Sequence, residues 1–201
     1  MEFDYQLAKE IILISIPVIG GGITAMLTAD RWQKQKEMNS IKREIITEYE
    51  TSLKRRATFT TRLVHKIIHH YTNWELVDGT NINIDKDLIF PKDPSQLPLE
   101  KFSDDYKKFE EFLKETAFTG SRFLSSLRFY YKDPKLIEAC RSVDVNVVEL
   151  TFGLRKILHC KDELKFKKLI KEYAVLDKSN VEVISKFENL LVKTPIKINH
   201  K

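Results

Sequence analysis

The sequence predicts an all-α protein: one N-terminal transmembrane helix, a long juxtamembrane helix and a cytoplasmic bundle of four to five helices. Three observations carry this expectation. Nineteen residues, Ile11 to Ala29, are free of charge and bounded by Glu10 and Asp30. After them, apolar residues recur in steps of three and four, the period of a helix. Only three of the six glycines, Gly79, Gly120 and Gly153, fall beyond Ala29, so the body of the chain is poor in the residues that turn a backbone sharply. The layout that follows is an extracytoplasmic N-terminus over 1–10, the transmembrane helix over 11–29 and a juxtamembrane helix over 30–77. An irregular loop over 78–98, a bundle over 99–193 that packs with part of 30–77, and a flexible tail over 194–201 complete it.

At 1.5 Å per residue, nineteen helical residues cover a little under the roughly 30 Å of a hydrocarbon core. A cleaved signal peptide needs a basic start and small residues before the cut. Here Glu2, Asp4 and Glu10 outweigh Lys9, and Leu27 stands where a small residue belongs. Arg31, Lys34, Lys36, Lys42 and Arg43 follow the span, and positive flanks stay on the cytoplasmic side. The expected localisation is therefore the cell membrane, single-pass, with the N-terminus outside and the C-terminal domain cytoplasmic. Trp32 is placed for the membrane interface. Pro17 predicts a kink, and Gly21, Ala25 and Ala29 form a small-residue stripe that lets a second span approach.

The chain carries +5; its first 29 residues contribute −2, which leaves +7 on the rest. That excess suits a domain beside an anionic leaflet, while its spread among many acids argues against nucleic acid as the partner. The expected partners are the lipid bilayer and a protein, either another chain or a second copy. Cys140 and Cys160 belong to no C-x-x-C pair and read as free, packed thiols. No glycine cluster could cradle a phosphate chain, and no H-E-x-x-H, G-x-S-x-G or EF-hand loop is present, so no cofactor is expected.

From Asp30 to about Leu76 neither Gly nor Pro occurs, which predicts one helix of roughly 70 Å with an alternative break at Thr58–Thr61. Its seam holds Met38, Ile41, Ile45, Tyr49 and Leu53, then Leu63, Val64, Ile67, Ile68, Tyr71 and Trp74. The seam is no clean heptad, so an extended coiled coil is not predicted. Asp78-Gly79 reads as its end. The next helix begins near Leu99, carries Phe102, Tyr106, Phe109 and Leu113, and runs to Tyr131 with Gly120 as a weak point. Asp133-Pro134 caps a helix to about His159, through Val143–Val148 with some strand character and through Phe152. Lys161-Asp162 opens another, and Ser179 to Glu182, S-x-x-E, reads as a capping box that starts a last one.

One constellation could carry chemistry. With Val64 at zero, Arg62, His65 and His69 fall near 160°, 100° and 140° on a helical wheel, opposite the apolar face. His at i and i+4 can reach one metal ion, with further ligands from afar such as His159 or Cys160. Arg62 and His69, with six residues between, also resemble the R-x(4–6)-H motif of HEPN-type ribonucleases, although Leu63 stands where that motif usually has a polar residue. The resemblance implies an all-helical hydrolase in which the Arg orients phosphate and the His moves protons. The leading expectation is a non-enzymatic interaction or scaffold module at the inner membrane face. The alternative is a membrane-tethered hydrolase, HEPN-like or metal-dependent, using Arg62, His65 and His69.

Overall fold

The computed structural model describes the backbone of residues 5–72 and 83–196, and the side chains of 26–72 and 83–196 apart from that of Phe118. Every element among them is helical, save an isolated bridge between Thr72 and Leu88. The chain divides into two compact units, one to Glu44 and one from Ile45.

Helix α1 (Tyr5–Tyr49) forms the first unit and enters the second without interruption. Of the expected span, Ile11–Ala25 lie outside the residues described to the side chain, and so do Gly21 and Ala25 of the small-residue stripe. Among the described residues, no helix is long and apolar enough to cross a membrane. Past the stretch the helix is solvated: Trp32 is 68% exposed, Lys36 lies over its ring at 5.4 Å, and Lys34 pairs with Asp30 one turn back.

In the second unit the seam turns inward at Ile45, Tyr49 and Leu53, each at most 2% exposed. The helix does not break at Thr58–Thr61. The irregularity comes earlier, as a π-helical turn over Glu50–Lys54. There Thr51 and Ser52 hydroxyls donate to the carbonyls of Thr47 and Glu48, competing for the acceptors of the ordinary ladder. Thr58 and Thr60 bond back to Lys54 and Arg56 in the same way but leave α2 (Arg55–Tyr71) regular. Helix α2 ends at Tyr71, well before Asp78-Gly79, which lies outside the described residues along with Trp74. A tertiary partner sets that end: Thr72 turns to extended backbone and the Ile89 N–H donates to the Tyr71 carbonyl at 2.7 Å.

The segment read as irregular is partly ordered into short turns. Asn83 caps α3 (Ile84–Asp87), and Asp93 caps a 3-10 turn over Pro94–Gln96. Two lysines of the C-terminal helix, Lys167 and Lys171, hold Asp85 against it. The helix expected from Leu99 is two: α4 (Pro98–Lys101) and α5 (Ser103–Tyr130), divided at Phe102, which leaves helical dihedrals to bury its ring. Gly120 does not interrupt α5, which passes through it unbroken.

Asp133 and Asp162 cap α6 (Pro134–Leu158) and α7 (Glu163–Lys193) by accepting the N–H of Lys135 and Lys165. The Val143–Val148 run is helical, as its length required. The expected start at Ser179 is wrong: α7 is one helix of 31 residues. No Gly or Pro interrupts it, so Ser179 never takes the extended dihedrals a cap needs. The connections Tyr131–Asp133 and His159–Asp162 are short, which sets α5, α6 and α7 antiparallel to their sequence neighbours. Their common core is aromatic. Phe187 packs edge-on to Tyr49 and Phe123 at one level, with those two rings tilted against each other; Phe59, Phe109 and Phe112 pack at another.

Two helical glycines, Gly120 of α5 and Gly153 of α6, make opposite predictions. A Cβ at Gly120 would meet only the Ser52 Cβ at 4.0 Å, whereas one at Gly153 would lie 3.0 Å from the Tyr173 ring. Gly120→Ala should gain about 0.5–1 kcal/mol through helix propensity. Gly153→Ala should lose stability, because forcing the buried Tyr173 aside costs about 1–3 kcal/mol and exceeds that gain. Urea melts of the two variants check the difference in sign.

Candidate functional site

The outer face of α2 holds the residues singled out from sequence. Leu63, Val64, Ile67 and Tyr71 are buried, and Arg62, His65 and His69 are exposed, so the face expected to meet solvent does so. The three do not converge on one point, however. Arg62 lines a groove against α5, while His65 Nε2 lies 4.0 Å from the Asp177 carboxylate of α7. His70 turns elsewhere, with its ring edge-on to Tyr71 and Phe102; burial pushes its pKa down, and Lys101 and His69 add to this.

Between α2 and α7 a polar chain forms that the sequence did not disclose. The Thr61 hydroxyl donates to Asp177 Oδ1 at 2.7 Å. Thr61 has one proton to give, so the Tyr173 hydroxyl, 3.4 Å away, is the donor in the next link. Burial pushes the Tyr173 phenol well above its usual range, which keeps it a donor at every physiological pH. The chain Tyr173–Thr61–Asp177 thus fixes a carboxylate beside the His65 imidazole. Tyr173 and Asp177 are one turn apart on α7, but nothing in the sequence sets the register of α7 on α2.

Between α2 and α5 lies a groove of about 330 Å³ lined by Arg55, Thr58, Phe59, Arg62, Leu63, Lys66 and Asp105. Lys66 Nζ is 2.6 Å from Asp105, and the Arg55 guanidinium lies 5.1 Å over the Phe112 ring. Further along α5, Arg155 of α6 grips Glu110 with two nitrogens at 2.8 to 3.1 Å. At the π-helical turn, buried Glu48 meets Arg122 at 2.6 Å, and Glu188 receives both Lys54 and the Tyr49 hydroxyl.

Among the described residues, no group of three or more His, Cys, Asp and Glu is gathered to hold a metal ion. His159 packs edge-on to Tyr106, and the Cys160 thiol donates to the Asp162 carbonyl at 3.3 Å. Both cysteines are free and buried. Burial, reinforced by Asp144, pushes the Cys140 thiol up to about 12, so it is a poor nucleophile. A disulfide reagent at pH 8 should titrate no thiol rapidly in the folded protein and two after denaturation.

Several apolar side chains of α6 face solvent. Phe152 is 54% exposed, and Val145 and Val148 share its face of α6. No known protein family matches the chain, and comparison with curated proteins and with solved structures finds no match.

Proposed function

We propose that the chain is a single-pass membrane protein that holds a helical unit at the cytoplasmic face as an interaction or scaffold module. One observation carries the reading: the uncharged stretch Ile11–Ala29 lies in a helix and is followed at once by a basic flank. The stretch sets the address, and Arg31, Lys34, Lys36, Lys42 and Arg43 set the orientation. The exposed Trp32 indole suits the boundary between hydrocarbon and water. The body offers side chains that grip one another across helices, at Glu110–Arg155 and Thr61–Asp177, as a rigid presenting surface requires.

Chemical crosslinking of the full chain in its native membrane tests the reading. The expected product is one defined species, a homodimer or a complex with one protein, with crosslinks mapping beyond Ile45. A chain that stays monomeric at every crosslinker concentration overturns it. The hydrolase reading has the His65–Asp177 approach in its favour, since a carboxylate at that position can orient an imidazole. It requires that His65→Ala with His69→Ala abolish an RNA-cleaving or metal-dependent activity of the full chain; an unchanged activity removes it.

A further inference from the structure

The groove between α2 and α5 is built to take an anion. Arg55, Thr58, Phe59, Arg62 and Lys66 fall at steps of three, four and seven along α2, which brings them onto one stripe. Three cations face a single acid there, Asp105, and that acid already accepts Lys66 at 2.6 Å. Lys66 is steadied further by the face of Phe102, 5.9 Å away. Arg62 is exposed and has no carboxylate partner among the described residues. Arg55 is held by an aromatic face rather than by an acid, so its five N–H donors stay available. The two arginines stand two turns apart, about 10.5 Å along the axis, so both can close on a group lying between them. The floor beneath is apolar: Phe59 stacks on Phe112 at 5.3 Å and 13°, with Leu63 beside it.

An arginine fork matches phosphate oxygens in pairs, and two forks in a groove whose lysine is already matched by Asp105 leave two positive charges, which suit a dianion better than a carboxylate. A groove of about 330 Å³ admits the phosphate with a small organic group against the ring of Phe59. We propose that the α2–α5 groove binds a phosphate monoester, with Arg55 and Arg62 holding the phosphate and Phe59 supporting the group it esterifies. The ester is either a phosphorylated lipid headgroup or a soluble metabolite; the chemistry that recognises it is the same. The site does not depend on the membrane reading, and its test is separate from it.

Calorimetric titration of the purified full chain in neutral detergent decides the matter. One arm uses a short-chain phosphatidylinositol phosphate carried in the micelle, and the other uses glycerol 3-phosphate. Saturable one-to-one binding is expected in at least one arm. Binding of the lipid alone assigns the headgroup, and binding of glycerol 3-phosphate assigns the soluble ester. Arg55→Gln with Arg62→Gln should weaken that binding at least tenfold. Lysine at both positions should recover only part of it, because the charge returns without the fork. Lys107→Gln with Lys108→Gln, exposed cations of α5 outside the groove, should leave it unchanged. Should the double arginine variant unfold, Arg62→Gln alone carries the test, since that guanidinium has no carboxylate partner among the described residues. No saturation in either arm, wild-type affinity in the arginine variants, or an equal loss in the Lys107/Lys108 variant overturns the proposal.

Discussion

Phe187→Ala is expected to cost the helical unit about 3–5 kcal/mol, the largest effect of any single substitution considered. The side chain is fully buried, and its ring lies edge-on to Tyr49 at 4.9 Å and to Phe123 at 6.2 Å. Truncation removes the transfer energy of a whole ring and both aromatic contacts, and it leaves a cavity where α7 meets the end of α1 and α5. Tyr49 cannot fall into that space freely, because its hydroxyl is tied to Glu188, one residue along α7. Domains of this size are stable by about 5–15 kcal/mol, so the loss is a large share of the total. Phe152→Ala is the control: this ring is 54% exposed, and its loss should stay within about 0.5 kcal/mol. Urea unfolding followed by circular dichroism measures both. Similar midpoints for the two variants would contradict the packing described.

The second large effect is at Glu110 and Arg155, where α5 is tied to α6. Arg155 binds the carboxylate with both Nε and Nη2, and each side chain is about one third exposed, at 37% and 30%. Screening by solvent keeps such a pair modest, and Arg155→Ala should cost about 1–2 kcal/mol. Its pH dependence is more distinctive. Burial alone would raise the Glu110 pKa, but hydrogen bonds from Tyr106 and Arg155, with the charges of Arg155 and Lys114, outweigh burial and hold it below its ordinary 4.5. The folded pKa is then below the unfolded one. The stabilisation is complete above the ordinary carboxylate range and is lost as pH falls through the folded value. Wild type should therefore lose more stability between pH 5 and pH 3 than Glu110→Gln, which has no proton to take up. Parallel slopes in a pH series of urea melts would refute the assignment.

The helices were legible because their signals are local. Asp133-Pro134 and Lys161-Asp162 each mark a start by residues that cap or begin a helix whatever surrounds them. The seam Ile45, Tyr49, Leu53 followed by Leu63, Val64, Ile67 and Tyr71 marks a buried face by spacing alone. The failures came where a distant partner decides. Tyr71 ends α2 because Ile89 bonds to its carbonyl, not because of a nearby Gly. Ser179-x-x-Glu182 has the residues of a capping box, but an uninterrupted helix on either side leaves no free N–H groups to cap. Phe152, Val145 and Val148 satisfy helical spacing and still face solvent, since period fixes a face but not what covers it. The site was half visible. Arg62, His65 and His69 could be placed on the outer face of α2, whereas Asp177, Tyr173 and Asp105 join them only through the packing of α7 and α5.

The central claim is that residues 11–29 carry the chain across a membrane and leave the helical unit on the cytoplasmic side. Labelling of single engineered cysteines tests it most directly, in a full chain whose Cys140 and Cys160 are replaced by Ser. An impermeant maleimide is applied to intact cells and again after permeabilisation. The account predicts that a cysteine at Phe3 is labelled in intact cells, and that one at Ser40 is labelled only once the membrane is opened. Labelling of Ser40→Cys in intact cells, or protection of Phe3→Cys until permeabilisation, would contradict it.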